Sequence, residues 1–478
     1  MDLHIRLEGR GDLAARIYRQ ILDAILDGLL RPGERLPPTR ELAARLDVSR
    51  NTVAAAYDRL TAEGFLEGRA GAGTFVRGEP LRRRRRKRAA GGVRPRSRWE
   101  SLAAVPNDRS EFTFDFRLGM PDATLFPLET WRRLISRELR PASLRSAGYG
   151  EPAGHPALRV AIARSAGLSR GIRAEPDDVI VTQGAQQAFD LIGRVLIEPG
   201  DCVAVEEPGY PPARILFESL GARVVGIPVD DEGLDVSAIP KNARLVYVTP
   251  SHQFPLGTPM SLARRTDLLA WAERNGEAVI VEDDYDSEFR FSDRPLEPLQ
   301  GLDRTGRVIY VGSFSKTLLP LLRVGFMVAP ASLQRALRTA KQLSDWHGEP
   351  TTQAALARFI DEGLLARHIR KATREYAARH EKILTALNND FSEWLTPVHS
   401  AAGLHLCARL KPGRDLDLQQ RLANARQADV AVESLAAYCT STPAQQGVVI
   451  GYGAIPIDRV EEGLRRLHTH LCATQQAV

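Results

Sequence analysis

The chain has 478 residues, 43% hydrophobic and 26% charged, so it can bury several cores and is too apolar for a disordered protein. Its formal net charge is +6, and no uninterrupted apolar run approaches the ~18 residues of a membrane-spanning helix. Four scattered cysteines (Cys202, Cys407, Cys439, Cys472) fit neither a disulfide framework nor a metal-ligand spacing, the opening MDLHIRLEGRGDLAARIY lacks the apolar core of a signal peptide, and the expectation is a cytoplasmic protein without a metal site or a membrane partner.

Residues 12–29, DLAARIYRQILDAILDGL, repeat apolar side chains at helical spacing until Gly28 and RPGERLP end the run. TRELAARL (39–46) and SRNTVAAAYDRLTAEG (49–64) predict two further helices, with Ser49 as N-cap of the second. FLEGRAGAGTFV then alternates like a hairpin with glycines at its tip. Three helices and a hairpin predict a winged helix-turn-helix over 12–77. In such a unit the second helix of the pair enters the major groove with its first residues on base edges. Here those are Arg50, Asn51 and Thr52, suited to guanine, adenine and phosphate.

Residues 78–112 read as a basic linker. Within 79–110 there are 11 basic and 3 acidic residues, concentrated in RRRRRKR at 82–88, whereas 1–78 carry 12 against 11. A like-charge block is ordinarily a solvated linker. Beside a DNA-binding unit it is also expected to touch DNA phosphate.

From 113 onward β-type runs alternate with helical ones: DDVIVTQG and AQQAFDLIGRVLI, CVAVEEPGY and PPARILFESLG, then RLVYVTPS, AVIVEDDY and RVIYVGSFS. That alternation predicts an α/β fold with a mainly parallel sheet. The last part, about 345–478, is mostly helical with two strand-like runs, GLHLCARL and GVVIGYGA, and predicts a smaller α+β lobe.

The strand ends of 113–478 carry a chemically coherent set. Lys316 follows RVIYVGS and is framed by Ser313, Ser315 and Arg323, two hydroxyls and a guanidinium suited to a phosphate dianion. Asp283 and Tyr285 end AVIVEDDY; Tyr210 lies in EEPGYPPAR. Gly184, Ala185 and Gln186 open a helix, where backbone amides bind phosphate. A lysine, a carboxylate for a pyridine nitrogen, a tyrosine for its ring oxygen, an aromatic face and a phosphate cup are what pyridoxal 5'-phosphate requires. Open α/β sheets bind ligands at these strand ends.

Two resemblances carry the reading further. LPPTRELAARLDVSRNTVAAAYDRLTAEGFLEGRAGAGTFV resembles the N-terminal domain of GntR-family transcription regulators. The resemblance implies that Arg40, Ser49, Arg50, Thr52 and the wing at 71–74, with Gly73 and Thr74, face DNA. YGEPAGHPALRVAI, VTQGAQQAFDLI, VEDDYDSEFRF and SFSKTLLPLLRVG resemble the PLP-dependent transferases of fold type I, the aspartate aminotransferase-like enzymes. It implies Lys316 as the Schiff-base lysine, Tyr149 reaching the phosphate held by a neighbouring subunit, and a homodimer. The whole chain resembles MocR/GabR-type regulators, in which such a domain serves as effector sensor. That resemblance implies a head-to-tail dimer, double-stranded DNA with two half-sites as partner, and a small amine or PLP itself as effector.

Two departures from the enzymes stand out. Phe254 in FPLG replaces an asparagine that touches the ring oxygen, with His252 or Gln253 as the expected substitute. In GYGAIP, Ala454 and Ile455 stand where an arginine grips the substrate carboxylate. The expected function is therefore a PLP-dependent transcription regulator. A working aminotransferase fused to a DNA-binding head is the alternative, and a PLP-independent repressor with a relic domain is third.

Overall fold

The computed structural model describes residues 5, 7, 12–77, 94–103, 108, 110–140, 148–291, 297–400, 402–413, 416–440 and 444–472. The arginine run at 82–88 lies outside the described residues. The chain forms two compact units, residues 1–96 and 97–478.

In the first unit, Asp12 caps the helix Leu13–Leu26 by accepting from the Ala15 amide at 3.1 Å. That helix buries Ile17, Tyr18, Ile21 and Ile25, one stripe at successive spacings of one, three and four. Helices Thr39–Leu46 and Arg50–Ala62 follow, separated by a tight turn with Asp47 at φ +52°. Leu66–Arg69 and Gly73–Val76 pair as an antiparallel hairpin, and Arg35 adds a bridge to Phe75. Ile17, Ile21, Leu42, Val53, Leu60, Leu66 and Val76 meet in one core. This is a winged helix-turn-helix.

The second unit is built on an eight-stranded sheet. Its order is Val179–Thr182, Gly325–Val328, Val308–Ser313, Val279–Asp284, Ala243–Val248, Cys202–Glu207, Arg223–Asp230 and Gly233–Leu234. Five neighbouring strands in the middle run parallel. Gly325–Val328 runs antiparallel to both of its neighbours. Cys202–Glu207, Val279–Asp284 and Val308–Ser313 are buried along their whole length, as β-branched runs covered on both faces must be. Helices Ala185–Leu196 and Pro211–Leu220 cover one face through Phe189, Ile192 and Phe217; Leu262–Arg274 covers part of the other through Leu268 and Trp271.

A four-stranded antiparallel sheet (Leu395–Pro397, His405–Leu410, Gly447–Gly451, Glu433–Ser434) and the helices Leu364–Asn389, Leu418–Gln427 and Ile457–Cys472 form a smaller lobe. Its core begins later than residue 345. Helix Pro350–Asp361 packs with Val179, Val181 and Phe326 of the large sheet, and the lobe's cluster starts at Ala372 and Tyr376. The lobe also takes in the start of the unit. Phe114–Asp115 pairs in parallel with Val430–Ala431, and Phe114 and Phe116 enter its core.

Candidate functional site

In the first unit, Ser49 is the N-cap of Arg50–Ala62. Its hydroxyl accepts from the Thr52 amide at 3.1 Å and lies 2.8 Å from Thr52 Oγ1. Both hydroxyls expected to reach DNA thus engage each other at the helix start, while Arg50 and Asn51 stand exposed in its first turn and Arg40 in that of the preceding helix. Gly73 is exposed and Thr74 half-buried on the wing. A Cβ at Gly73 would sit 2.8 Å from Arg35 Nε, so an exposed guanidinium that the sequence did not single out lies on the wing beside it.

In the second unit, the pleat sorts the acids of VEDDYD. Successive side chains point to opposite faces. Glu282 lies 3.9 Å from Arg265 and accepts from the amides of Leu299 and Gln300 at 3.0 and 2.9 Å. Asp284 pairs with Arg170 and accepts from Tyr310 at 2.6 Å. Asp286 binds His252 Nδ1 at 3.0 Å. Among the described residues Asp283 forms no salt bridge, although its charge acts on Lys316. Its Oδ2 accepts from Tyr247 at 2.6 Å, and its Oδ1 is buried without a hydrogen-bond partner. Burial pushes its carboxyl up to about 7, against the pull of the Tyr247 hydrogen bond.

Strand register builds the region around Lys316. Ser313 stands opposite Gly325, and Gly325 opposite Thr182, so three strand ends lie in one row. Arg323, at φ +50°, donates Nη2 to the Gln183 carbonyl at 2.8 Å. Gly184 caps the helix Ala185–Leu196 at φ +78°, and a Cβ there would sit 2.8 Å from that same Nη2. The guanidinium therefore packs on the bare backbone where the helix begins with Ala185 and Gln186. Gln186 donates to the Pro212 carbonyl at 3.2 Å. Ser313 Oγ accepts from the Ser315 amide at 3.1 Å. Lys316 Nζ donates to the Gly119 carbonyl at 2.6 Å. Burial lowers its pKa, while Asp286 and Asp283 oppose that shift.

Comparison with known proteins decides the family. Residues 13–76 match the family "Bacterial regulatory proteins, gntR family", and residues 119–441 match "Aminotransferase class I and II". The probable rhizopine catabolism regulatory protein MocR of Rhizobium meliloti is 39% identical over 467 residues, 97% of this chain and 94% of that protein. The HTH-type transcriptional regulator TauR of Rhodobacter capsulatus is 36% identical over 394 residues, 80% of this chain and 81% of that one. Among solved structures, LysN, an alpha-aminoadipate aminotransferase from Thermus thermophilus complexed with N-(5'-phosphopyridoxyl)-L-leucine, is 30% identical at a TM-score of 0.69, covering 76% of this chain and 92% of that one. The chain belongs to the MocR/GabR subfamily of GntR regulators.

The remaining residues include the two positions expected from the sequence to depart from the aminotransferases. Phe254 meets Tyr210, Tyr438, His405 and Tyr285 edge-on, with centroids 5.2–5.8 Å apart. Burial raises Tyr210's pKa to about 12, with Asp283 adding to that shift and Arg323 opposing it. Neither neighbour expected to replace the asparagine is free. Gln253 donates to Pro208 O and Phe254 O at 2.9 and 2.7 Å, and its carbonyl accepts from Leu256. His252 spans Asp286 and Ser400 Oγ at 3.0 Å each. The Tyr285 hydroxyl donates to the His252 carbonyl at 2.9 Å.

At the carboxylate end, Ile455 is core and Ala454 exposed. A buried arginine does come near. Arg379 donates to the carbonyls of Tyr452 and Gly453 at 3.2 and 2.8 Å and pairs with Asp122 at 2.5 Å, so its charge is already matched. Tyr149 is 80% exposed and rests on Trp346, centroids 4.8 Å apart. Sequence reasoning missed Tyr247, which reads as a core residue of RLVYV, and His405, which reads as one step of an apolar alternation.

His252, Asp286 and His405, all buried, place ligand-type atoms within 4.8 Å of one another. The first two are engaged with each other. Among the described residues, no helix is long and apolar enough to cross a membrane.

Proposed function

We propose that this MocR-type chain is a pyridoxal-phosphate-dependent transcription regulator. Occupancy of its aminotransferase-like domain by a small amine, or by the cofactor itself, sets the DNA affinity of its winged helix. The observation that carries the reading is Asp283 Oδ1, a buried acceptor without a partner at the end of the strand Val279–Asp284, on a carboxylate whose charge acts on Lys316. A buried polar atom without a partner is costly, and a pyridinium N–H is the donor that would satisfy this one.

Bound pyridoxal phosphate supplies an electrophilic carbon and a ring that draws electrons away from it. The chain's own groups do the rest. Lys316, held below the usual lysine range by burial, offers a nucleophilic amine. The amides opening the helix at Gly184, Ala185 and Gln186, with Ser313, Ser315 and Arg323, suit a phosphate. Tyr210 suits the aromatic face, and the Tyr285 hydroxyl, which donates to the His252 carbonyl at 2.9 Å, is the group assigned to the ring oxygen. The exposed Tyr149–Trp346 pair supports a homodimer in which each Tyr149 serves its partner's site.

Two winged helices in one dimer suit two DNA half-sites. Arg40, Ser49, Arg50, Asn51, Thr52, Gly73 and Thr74 are the residues assigned to DNA, and the arginine run at 82–88 is assigned to phosphate. An effector alters DNA binding only by favouring one of two arrangements of the dimer. Completed transamination of α-amino acids is disfavoured by the commitment of Arg379 to Asp122 and two carbonyls.

The test is a visible absorption spectrum of the purified protein with added pyridoxal phosphate, then with a panel of amines. A protein-bound band that an amine shifts, absent in Lys316→Ala, is the expected result. No band in the intact protein would overturn the reading.

A further inference from the structure

One carboxylate at the end of a helix gathers the loop that opens the phosphate cup. Asp345 ends the helix Ala331–Asp345. Its Oδ1 accepts from Lys341 Nζ at 2.6 Å, and Lys341 is fully buried. Its Oδ2 accepts from the side-chain amides of Gln183 and Gln187 at 3.0 and 2.8 Å. Gln187 Oε1 in turn accepts from the Gln183 backbone N–H at 2.9 Å. Gln183 directly precedes Gly184, and its carbonyl receives Arg323 Nη2 at 2.8 Å. A single residue thus carries the oxygen that holds the guanidinium assigned to phosphate and the side chain that Asp345 holds.

On the other side of Asp345 the backbone is strained. Trp346 has φ +64° and ψ −67°, and the His347 N–H donates to the Asp345 carbonyl at 2.7 Å, a γ-turn of the rare, strained hand. Such a backbone persists only where its surroundings over-determine it. Before the turn stands the Asp345 side chain with its three donors. After it stands Tyr149, whose ring centroid lies 4.8 Å from that of Trp346 and 6.1 Å from that of His347. Tyr149 is exposed and Trp346 is 46% exposed, so the turn joins the cup to the surface.

We infer that Asp345 is a positioning residue for the phosphate cup, and that it carries the cup's occupancy to the surface formed by Trp346 and Tyr149. The inference rests on the phosphate assignment above and adds the residue through which the cup acts elsewhere. A phosphate engages Arg323 through charge-assisted hydrogen bonds and so competes with the Gln183 carbonyl for that guanidinium. Gln183 is tied to Asp345 by its side chain, so a shift of the loop is passed to the carboxylate. The strained turn that follows is the part with a second arrangement to relax into.

The experiment uses the full chain, intact and with Asp345→Asn or Gln183→Ala. Gln183→Ala cuts the loop from Asp345 but leaves Lys341 and Gln187 on the carboxylate, so the buried lysine keeps its partner. Affinities for pyridoxal phosphate and for pyridoxal, which shares the ring and aldehyde but lacks the phosphate, come from the cofactor band. The ratio of the two is expected to fall about tenfold in both variants, the scale of one hydrogen bond to a charged group. A general loss of structure would weaken both ligands alike. Inorganic phosphate is also titrated into the cofactor-free protein, and the Trp346 fluorescence is taken as the difference from Trp346→Phe. That signal is expected to change with phosphate in the intact protein and to stay constant in Gln183→Ala. An unchanged affinity ratio in Gln183→Ala, or a Trp346 signal indifferent to phosphate in the intact protein, would overturn the inference while leaving cofactor binding in place. No cofactor band in the intact protein would overturn both.

Discussion

Tyr247 donates its hydroxyl to Asp283 Oδ2 at 2.6 Å on one face of the central sheet, and the second carboxylate oxygen is left without a partner. That hydrogen bond stabilises the charged form of a carboxyl that burial otherwise pushes toward neutrality. Tyr247→Phe removes it. The expected result is pyridoxal phosphate binding weaker by about tenfold, the ~1.5 kcal/mol of a hydrogen bond to a charged group. Asp283→Asn is expected to lose more, since the ring nitrogen then faces no charge. Equilibrium titration of the cofactor band measures both.

Stability should depend on pH in an unusual direction. Burial raises Asp283, Glu206 and Glu282 each to about 7, from ordinary values of 3.8, 4.5 and 4.5. In each case the folded state holds its proton more tightly than the unfolded state. The contribution is therefore favourable at low pH and is lost as pH rises from the ordinary value through about 7. Cofactor-free protein is expected to melt lower at about pH 8 than at about pH 5.5. Asp283→Asn should reduce that difference, and bound cofactor should also reduce it by giving Asp283 a cationic partner. Melting temperatures of the three forms across this range test the sign.

Arg170 and Asp284 are 7% and 1% exposed in their side chains. Arg170→Met leaves a buried carboxylate with only the Tyr310 hydroxyl and neighbouring groups to compensate it. Breaking such a pair costs about 3–5 kcal/mol. Urea unfolding of the second unit is expected to show a loss on that scale, in contrast to the exposed Arg132–Glu129 pair, whose removal should cost less than ~1 kcal/mol.

In the first unit, Ser49→Ala and Arg50→Ala are expected to separate stability from recognition. Ser49 caps a helix, so its loss should cost about 1 kcal/mol of stability, with base preference unchanged. Arg50 is exposed at the helix start, so its loss should cost about 1–3 kcal/mol at one base position and nothing in stability. Replacing the arginines of 82–88 with neutral residues should flatten the salt dependence of binding at every DNA sequence alike. Thermal unfolding and binding to selected duplexes at two salt concentrations distinguish the three.

Much of the fold was legible because its signals are local. Helical spacing in 12–29 and 49–64 and the strand runs ending in Gly184, Asp283 and Ser313 each lie within a short continuous stretch, at periods that differ. What escaped depends on distant partners. Asp283 stands apart from Glu282 and Asp284 because Arg265 and Arg170 occupy the opposite face, and Arg170 lies more than a hundred residues upstream. His252 and Gln253 read as open substitutes in sequence, and only the fold shows Ser400, Asp286, Pro208 and Leu256 claiming them. Phe114–Asp115 is too short to register as a strand, and its partner comes three hundred residues later.

The central claim is that the state of the aminotransferase-like site governs DNA binding. The most direct measurement is fluorescence anisotropy of a duplex selected by the full-length protein. Cofactor-loaded protein is titrated with and without the amine that shifts its spectrum, beside Lys316→Ala under both conditions. The account predicts at least about a fivefold change in Kd on adding the amine, the low end of a coupling between sites, and none in Lys316→Ala. An amine that shifts the spectrum of the intact protein while leaving Kd the same would contradict it.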